Sequence, residues 1–455
     1  MTNNQNKTYY PTFDGWRGIA ILWIAIGHIV FFYHLDISEG GVRYLYNFSQ
    51  LAYLTVDIFF IISGFLITDK LLRDKPPINF RKFIKSRFLR ILPQYLAVIF
   101  FVLLIQKVIP AIDITTKVVL PSNKITFKLQ KVINDSNFIV QDKDGNIFKI
   151  NVFSYGNGST VGLKYPNGKI GLKDFNFDFR KILLNKKIGD AFIYETGPRP
   201  IINNISSRNP HESFWQYLLV IPNYFPSSRV RMLDHLWFVA IVLHFYLFYS
   251  SLMYLISKLT NNSQRRKHYI FILLIFLIGI INLCKWKYGN NYPIYYQMTH
   301  FRIDAIFGGC ILKLAGEFIK GKNIFDKYYL PLSTILFIAG VIFISVLTWN
   351  ASWKPEVTPL LLTTSYVAFS ALIIGTYQKT FLTRFIFENR FIRWIGKYSY
   401  GIYLWHYPFM FIIFFLPLKY SVFNNNYVLT ISYILISILT GVGSEKLFNK
   451  LRINQ

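Results

Sequence analysis

Phe13-Asp14-Gly15-Trp16-Arg17-Gly18-Ile19-Ala20-Ile21-Leu22-Trp23-Ile24-Ala25-Ile26-Gly27-His28 opens the first long apolar run of this 455-residue chain. An α-helix turns about 100° and rises about 1.5 Å per residue. Eleven steps from Arg17 therefore return to nearly the same face, roughly 16 Å further along. Embedded in a bilayer, the run puts Arg17 at the membrane surface and His28 near mid-depth on one stripe. An ionisable side chain at that depth is costly and by default a functional candidate. The alternative is a satisfied histidine packed between helices.

Working outward, the whole composition is that of a membrane protein. Hydrophobic residues make up 53% of the chain, aromatics 18% and charged residues only 16%, and the mean hydropathy is +0.33. Soluble domains do not combine these values. Runs long enough to span a bilayer recur near 16–34, 51–70, 89–109, 234–257, 270–286, 303–316, 328–349, 358–377, 397–418 and 427–447. The expected fold is an all-α polytopic membrane protein of about ten transmembrane helices.

Charge placement sets the expected orientation. Basic residues mark cytoplasmic loops. Arg73, Lys75, Arg81, Lys82, Lys85, Arg87 and Arg90 follow the second run, and Lys258, Arg265, Arg266 and Lys267 follow the fourth. Lys313, Lys320, Lys322 and Lys327, then Lys379, Arg384, Arg390, Arg393 and Lys397, repeat the pattern. The alternation predicts a multi-pass protein of the cell membrane with both termini in the cytoplasm. The net charge of +28 then reflects topology and attraction to anionic lipid. Nucleic acid is excluded as a partner, because no basic soluble face or binding fold appears. No small-residue cleavage site follows the polar N-terminus, so the first run is expected to be an anchor. The two cysteines, Cys284 and Cys310, make no disulfide framework or metal motif. No metal and no bound cofactor is expected.

One segment breaks the membrane pattern. Residues 111–212 are polar, with no spanning run. Asp142-Lys143-Asp144-Gly145 separates Phe138-Ile139-Val140 from Ile147-Phe148-Lys149-Ile150, and Pro166-Asn167-Gly168 separates two further short apolar stretches. These are hairpin signals. The chain therefore divides into spans one to three in 1–110, a small β-rich insertion in 111–212, and spans four to ten in 213–455. Loop parity puts the insertion outside the cytoplasm.

Six segments, in order, resemble the motifs of the membrane acyltransferase type 3 family. Phe13 to His28 resembles its opening motif, a basic residue eleven positions before an intramembrane histidine. Thr55-Val56-Asp57-Ile58-Phe59-Phe60 resembles its second-span motif, and Arg87-Phe88-Leu89-Arg90-Ile91-Leu92-Pro93 its cytoplasmic arginine pair. His235-Leu236-Trp237-Phe238, Arg302-Ile303-Asp304-Ala305 and Tyr398-Ser399-Tyr400-Gly401-Ile402-Tyr403-Leu404-Trp405-His406 resemble later ones. Many members carry a Glu pair in the fourth span, where this chain has Val242 and Leu243. The resemblance implies an enzyme that moves an acyl group, often acetyl, from cytoplasmic acyl-CoA to a hydroxyl of a surface glycan or lipid-linked sugar. Some members add a C-terminal hydrolase-like domain. This chain ends about ten residues after its last run, so it is expected to act without one.

That chemistry assigns roles to residues. O-acylation needs a base for the acceptor proton, and a neutral imidazole suits it, so His28 is the expected catalytic group, as base or as carrier of the acyl group, with Arg17 beside it. Arg17, Arg87 and Arg90 are the expected grips for donor phosphates, because a guanidinium presents a fork of hydrogen-bond donors. For Arg87 and Arg90 the alternative is positive-inside topology alone. Asp57, in an apolar run, is a candidate catalytic residue that orients the acceptor or a catalytic partner; a salt bridge to a neighbouring span is the alternative. His235, Trp237 and His406 are candidates for the acceptor side, with belt or packing roles as alternatives. Two other functions compete: a transporter or flippase of a polar or lipid-linked substrate, and a receptor using 111–212 as its ligand module.

Overall fold

The computed structural model describes residues 9–33, 47–49, 51–74, 78–108, 123–134, 137–142, 147–155, 158–164, 170–175, 183, 187–188, 190–196, 210–225, 230–287, 296–319, 323–350, 359–376, 381–419 and 426–453. Each of the ten apolar stretches holds a helix. In chain order these are α1 (Pro11–Tyr33), α2 (Val56–Arg73), α3 (Phe80–Val108), α4 (Trp237–Leu259), α5 (Ser263–Lys287), α6 (Asp304–Ile319), α7 (Asn323–Asn350), α8 (Pro359–Gly375), α9 (Ser399–Lys419) and α10 (Asn426–Ile453). Among the described residues, five helical stretches are long and apolar enough to cross a membrane: those ending in α2, α3, α4 and α5, and Val428–Leu451 in α10. Ser333–Leu347 and Leu360–Gly375 are shorter apolar stretches.

Local chemistry starts several of these helices. Asn79 Oδ1 accepts the Lys82 N–H at the head of α3, and Asn262 Oδ1 accepts the Gln264 and Arg265 N–H groups at the head of α5. Asn389 does the same for Phe391 and Ile392, opening a short helix, Arg390–Lys397. Each carboxamide satisfies backbone donors that have no partner inside the helix. The apolar residues then divide between core and lipid. On α5, Ile272, Phe276 and Leu283 are each more than 60% exposed, a face that water would not tolerate on a helix this apolar.

The helical unit is held by close backbone approach. A Cβ on Gly64 of α2 would run into the Ile306 carbonyl of α6, and one on Gly309 into the Ile61 carbonyl. The two glycines let α2 and α6 touch along their backbones, as small residues do between membrane helices. The short helix Arg390–Lys397 lies against α1 in the same way, because a Cβ on Gly396 would meet the Asp14 carbonyl. This contact brings the segment leading into α9 beside the start of α1.

Contacts separate a second unit, built around residues 104–214. It holds a six-stranded antiparallel sheet in the order β5-β4-β3-β2-β1-β6. The strands are β1 (Asn123–Asn134), β2 (Asn137–Asp142), β3 (Ile147–Tyr155), β4 (Gly158–Lys164), β5 (Ile170–Phe175) and β6 (Ala191–Thr196). β2 and β3 pair across the Asp142-to-Gly145 stretch, and β4 with β5 across Pro166-Asn167-Gly168. Leu129, Phe138, Val140 and Ile150 are buried, and Phe138 and Val140 share a face by the two-residue period of a strand.

Candidate functional site

Two places in the helical unit gather polar chemistry from distant parts of the chain. The first is a cavity of about 150 Å³. Arg17 comes to it from α1, Arg87 and Arg90 from α3, Lys397 from the turn before α9, and Glu445 from α10. Phe59, Phe238 and Tyr246 line its apolar side, and Tyr400 and Tyr403 of α9 complete it. Four cationic side chains thus face one carboxylate. Glu445 is buried and accepts the Gly401 N–H at 3.3 Å. Arg17 keeps a looser contact, 3.7 Å, with Asp14 one turn earlier. Four cations within one small cavity make a receptor for an anion rich in oxygen.

Tyr403 carries the cavity wall into a cluster of imidazoles. Its hydroxyl donates to the His235 carbonyl at 2.6 Å, and its own carbonyl lies 2.6 Å from His406 Nδ1. His406 Nε2 lies 3.3 Å from Nδ1 of His28. His235 Nε2 lies 3.1 Å from the Leu404 carbonyl. The ring of Tyr407 contacts both His28 and His235, with centroids 5.1 and 5.0 Å apart. His406 is fully buried and His235 nearly so. A carbonyl oxygen only accepts, so the imidazole nitrogen facing it must donate. The α9 backbone therefore holds two of these rings by their N–H groups.

A second buried polar cluster lies elsewhere in the same unit. Arg302 Nη2 pairs with Asp57 Oδ1 at 2.6 Å, and Lys285 Nζ with Asp304 Oδ2 at 2.5 Å; all four side chains are inaccessible to solvent. Ser365 Oγ donates to Asp57 Oδ2 at 2.7 Å. The Arg302 guanidinium also lies over the rings of Tyr296 and Phe60.

The sequence-based expectations divide accordingly. Arg17, Arg87 and Arg90 share one cavity, and His28 meets His406. Asp57 has the salt bridge that was its alternative reading: its carboxylate is engaged by Arg302 and Ser365, and no imidazole is among its described partners. Two charges in an apolar interior pair with one another before they serve a neutral group. His235 and Trp237 are both buried. His235 sits in the 3-10 turn Arg231–Leu236 and joins the imidazoles, whereas Trp237 opens α4 and packs 5.0 Å from Tyr296, beside the ionic cluster. His406 lies against both His28 and His235, with ring centroids 5.3 and 5.5 Å apart. Sequence reasoning missed Glu445, Lys397, Arg302 and Lys285 as members of these sites. Glu445 was the most legible of them, a lone carboxylate close to the end of an apolar run. Among the described residues, no group of three or more His, Cys, Asp or Glu side chains has the geometry to hold a metal ion.

A family model described as an acyltransferase domain matches residues 10–444. The chain is 23% identical over 426 residues to the peptidoglycan O-acetyltransferase OatA of Listeria monocytogenes, covering 90% of this chain and 50% of the relative. It is 24% identical over 410 residues to the O-acetyltransferase OatA of Staphylococcus aureus, covering 88% of this chain and 50% of the relative. The chain thus spans about half the length of these curated relatives. No solved structure matches it.

Proposed function

We propose, since the chain belongs to the type 3 acyltransferase family, that it moves an acetyl group from acetyl-CoA to a hydroxyl of a glycan or lipid-linked sugar across the cell membrane. One observation carries the reading: the cavity lined by Arg17, Arg87, Arg90 and Lys397 ends at Tyr403, whose carbonyl holds the imidazole that touches His28. Tyr403 and His406 link the anion receptor to the base. The relatives' names, which specify O-acetyl transfer and in one case peptidoglycan, support the acetyl group and the glycan class.

In this reading the CoA phosphates bind the cationic side chains, and the pantetheine arm brings the thioester towards His28. The acceptor hydroxyl gives its proton to His28, and its oxygen attacks the acyl carbonyl carbon. The carbon–sulfur bond breaks, and CoA leaves as a thiol with the proton returned by the imidazolium. The products are an ester and free CoA, and no redox partner is involved. Ten spans with both termini in the cytoplasm put Arg87 and Arg90 on the donor side, which the alternation of basic loops supports. The same parity puts 111–212 on the acceptor side, where it shapes acceptor choice.

The test uses the purified protein in lipid nanodiscs with acetyl-labelled CoA and a muropeptide or lipid-linked sugar acceptor. Label is expected to move to the acceptor. Replacing Arg17, Arg87 and Arg90 together by Gln is expected to raise the donor KM by at least tenfold without changing which acceptor is used. Unchanged donor binding in that triple variant, or acceptor labelling that ignores it, would refute the assignment.

A further inference from the structure

The three imidazoles raise a question that distance alone does not answer: which nitrogen of His28 is the base. A neutral imidazole has one N–H donor and one bare acceptor nitrogen. His406 Nδ1 lies 2.6 Å from the Tyr403 carbonyl, which has no hydrogen to offer. His406 must therefore carry its proton on Nδ1, leaving Nε2 as an acceptor. That acceptor lies 3.3 Å from His28 Nδ1. Two bare nitrogens would repel at this distance, so His28 must carry its own proton on Nδ1 and donate it to His406. The remaining nitrogen, Nε2, then holds the lone pair.

We infer that His406 is the positioning residue of the reaction: through the chain Tyr403 carbonyl, His406, His28, it locks His28 in the tautomer whose Nε2 is the base. The inference rests on the acyl-transfer reading above and adds to it the identity of the basic atom and the group that determines it. A ring nitrogen's state is set by the hydrogen bond that its other nitrogen makes. Here the partner is a second imidazole, which is in turn held by a backbone carbonyl that cannot reverse its role. The arrangement needs no carboxylate beside His28. It also accounts for the short span between His406 and Tyr403 on α9: three residues is one helical turn, the reach over which a side chain returns to its own backbone.

His235 shows the same device once more. Its Nε2 faces the Leu404 carbonyl at 3.1 Å, so that nitrogen carries the proton. Its Nδ1 is left as a bare, buried acceptor with no partner among the described residues. Two consecutive carbonyls of α9, those of residues 403 and 404, thus set the proton positions of two rings. His235 does not touch His28 through a hydrogen bond, so the relay itself is the pair of His406 and His28.

The experiment compares three replacements of His406 in the full chain in nanodiscs, with acetyl-CoA as donor. Gln reaches as far as Nε2 and presents an oxygen that accepts from His28. Asn keeps a polar group near the Tyr403 carbonyl but is too short to reach His28. Leu fills the space and accepts nothing. His406→Gln is expected to stay within about tenfold of wild-type kcat, whereas His406→Asn and His406→Leu each lose about 10²-fold or more, within the range for a positioned base. The KM for acetyl-CoA is expected to stay unchanged in all three. Wild-type kcat in His406→Asn or His406→Leu, a loss in His406→Gln as deep as in His406→Leu, or a loss confined to donor KM would each overturn the inference. His28→Ala is run alongside: if it retains full transfer, the acyl-transfer reading itself fails; if it is inactive while His406→Leu is normal, only the relay fails.

Discussion

The imidazole cluster and the ionic cluster are both buried, both built from residues far apart in sequence, and separated by one aromatic wall. Tyr296, Trp237, Phe238 and Tyr403 form that wall, each ring within 6.4 Å of the next. Their chemistry is opposite. Asp57 with Arg302, and Lys285 with Asp304, set two positive charges against two negative ones. His28, His406 and His235 have no ionic partner among the described residues, and two of their rings are held by backbone carbonyls. Removing one partner of a compensated buried pair leaves the other an orphaned charge. The imidazoles are held by hydrogen bonds to α9 carbonyls and to one another. The two clusters differ in how their polar groups are satisfied: one by opposite charge, the other by hydrogen bonds.

The largest expected effect breaks the reactive side alone. His28→Ala should lower acetyl transfer by 10²–10⁴-fold, the usual worth of a positioned acid or base, while the thermal midpoint of the purified protein stays close to wild type. Loss of folding together with activity would move His28 to the scaffold side of the comparison.

Next comes the ionic side. Arg302→Met leaves Asp57 buried without its cation and should cost about 3–5 kcal/mol of stability. Adding Asp57→Leu to it removes both charges and should restore most of that loss, since a buried ion pair replaced by apolar groups of similar size is often nearly neutral. Denaturation in mild detergent reads both steps. A double variant as unstable as the single one would show that the pair does more than balance charge.

A smaller effect is expected at the cavity. Among the described residues lining the cavity, Glu445 is the one carboxylate, and Glu445→Gln removes a negative charge from a receptor for phosphates. Donor affinity should rise by about fivefold, equivalent to roughly 1 kcal/mol of partly screened repulsion. Isothermal titration with CoA measures it; weaker binding would mean that Glu445 orders the arginines more than it opposes the donor.

The smallest effect sharpens the relay. Tyr403→Phe deletes the hydroxyl that donates to the His235 carbonyl but keeps the backbone carbonyl that holds His406. It should cost about 1 kcal/mol of stability, the net worth of one hydrogen bond, and change kcat by less than tenfold. A collapse of kcat would put the tyrosine hydroxyl, not its carbonyl, in the reaction.

Much of the helical unit was legible in the sequence because burial in lipid is a local property. Each apolar stretch is readable from its own residues, and each of the ten holds a helix. The stripe of Arg17 and His28 follows from helical period alone. The hairpins at Asp142 and Pro166 were legible through their turn residues, whose backbone preferences are equally local. The partners were not legible. His28 and His406 are 378 positions apart, and nothing within either segment specifies the other. Asp57 read as a catalytic candidate because an acid in an apolar run is conspicuous, but its cation, Arg302, lies on another helix.

What the sequence determined by itself was where the chain turns apolar, where it is basic, and which side chains stand out as too polar for their surroundings. These depend on transfer free energies and backbone periods, which each residue carries with it. The tertiary structure decided which of those side chains meet. Gly64 against α6, Gly309 against α2 and Gly396 against α1 let particular helices approach to backbone contact. That approach set Asp57 beside Arg302 and His28 beside His406. Ion pairs and hydrogen bonds act over a few ångströms, so their partners exist only once the helices have packed.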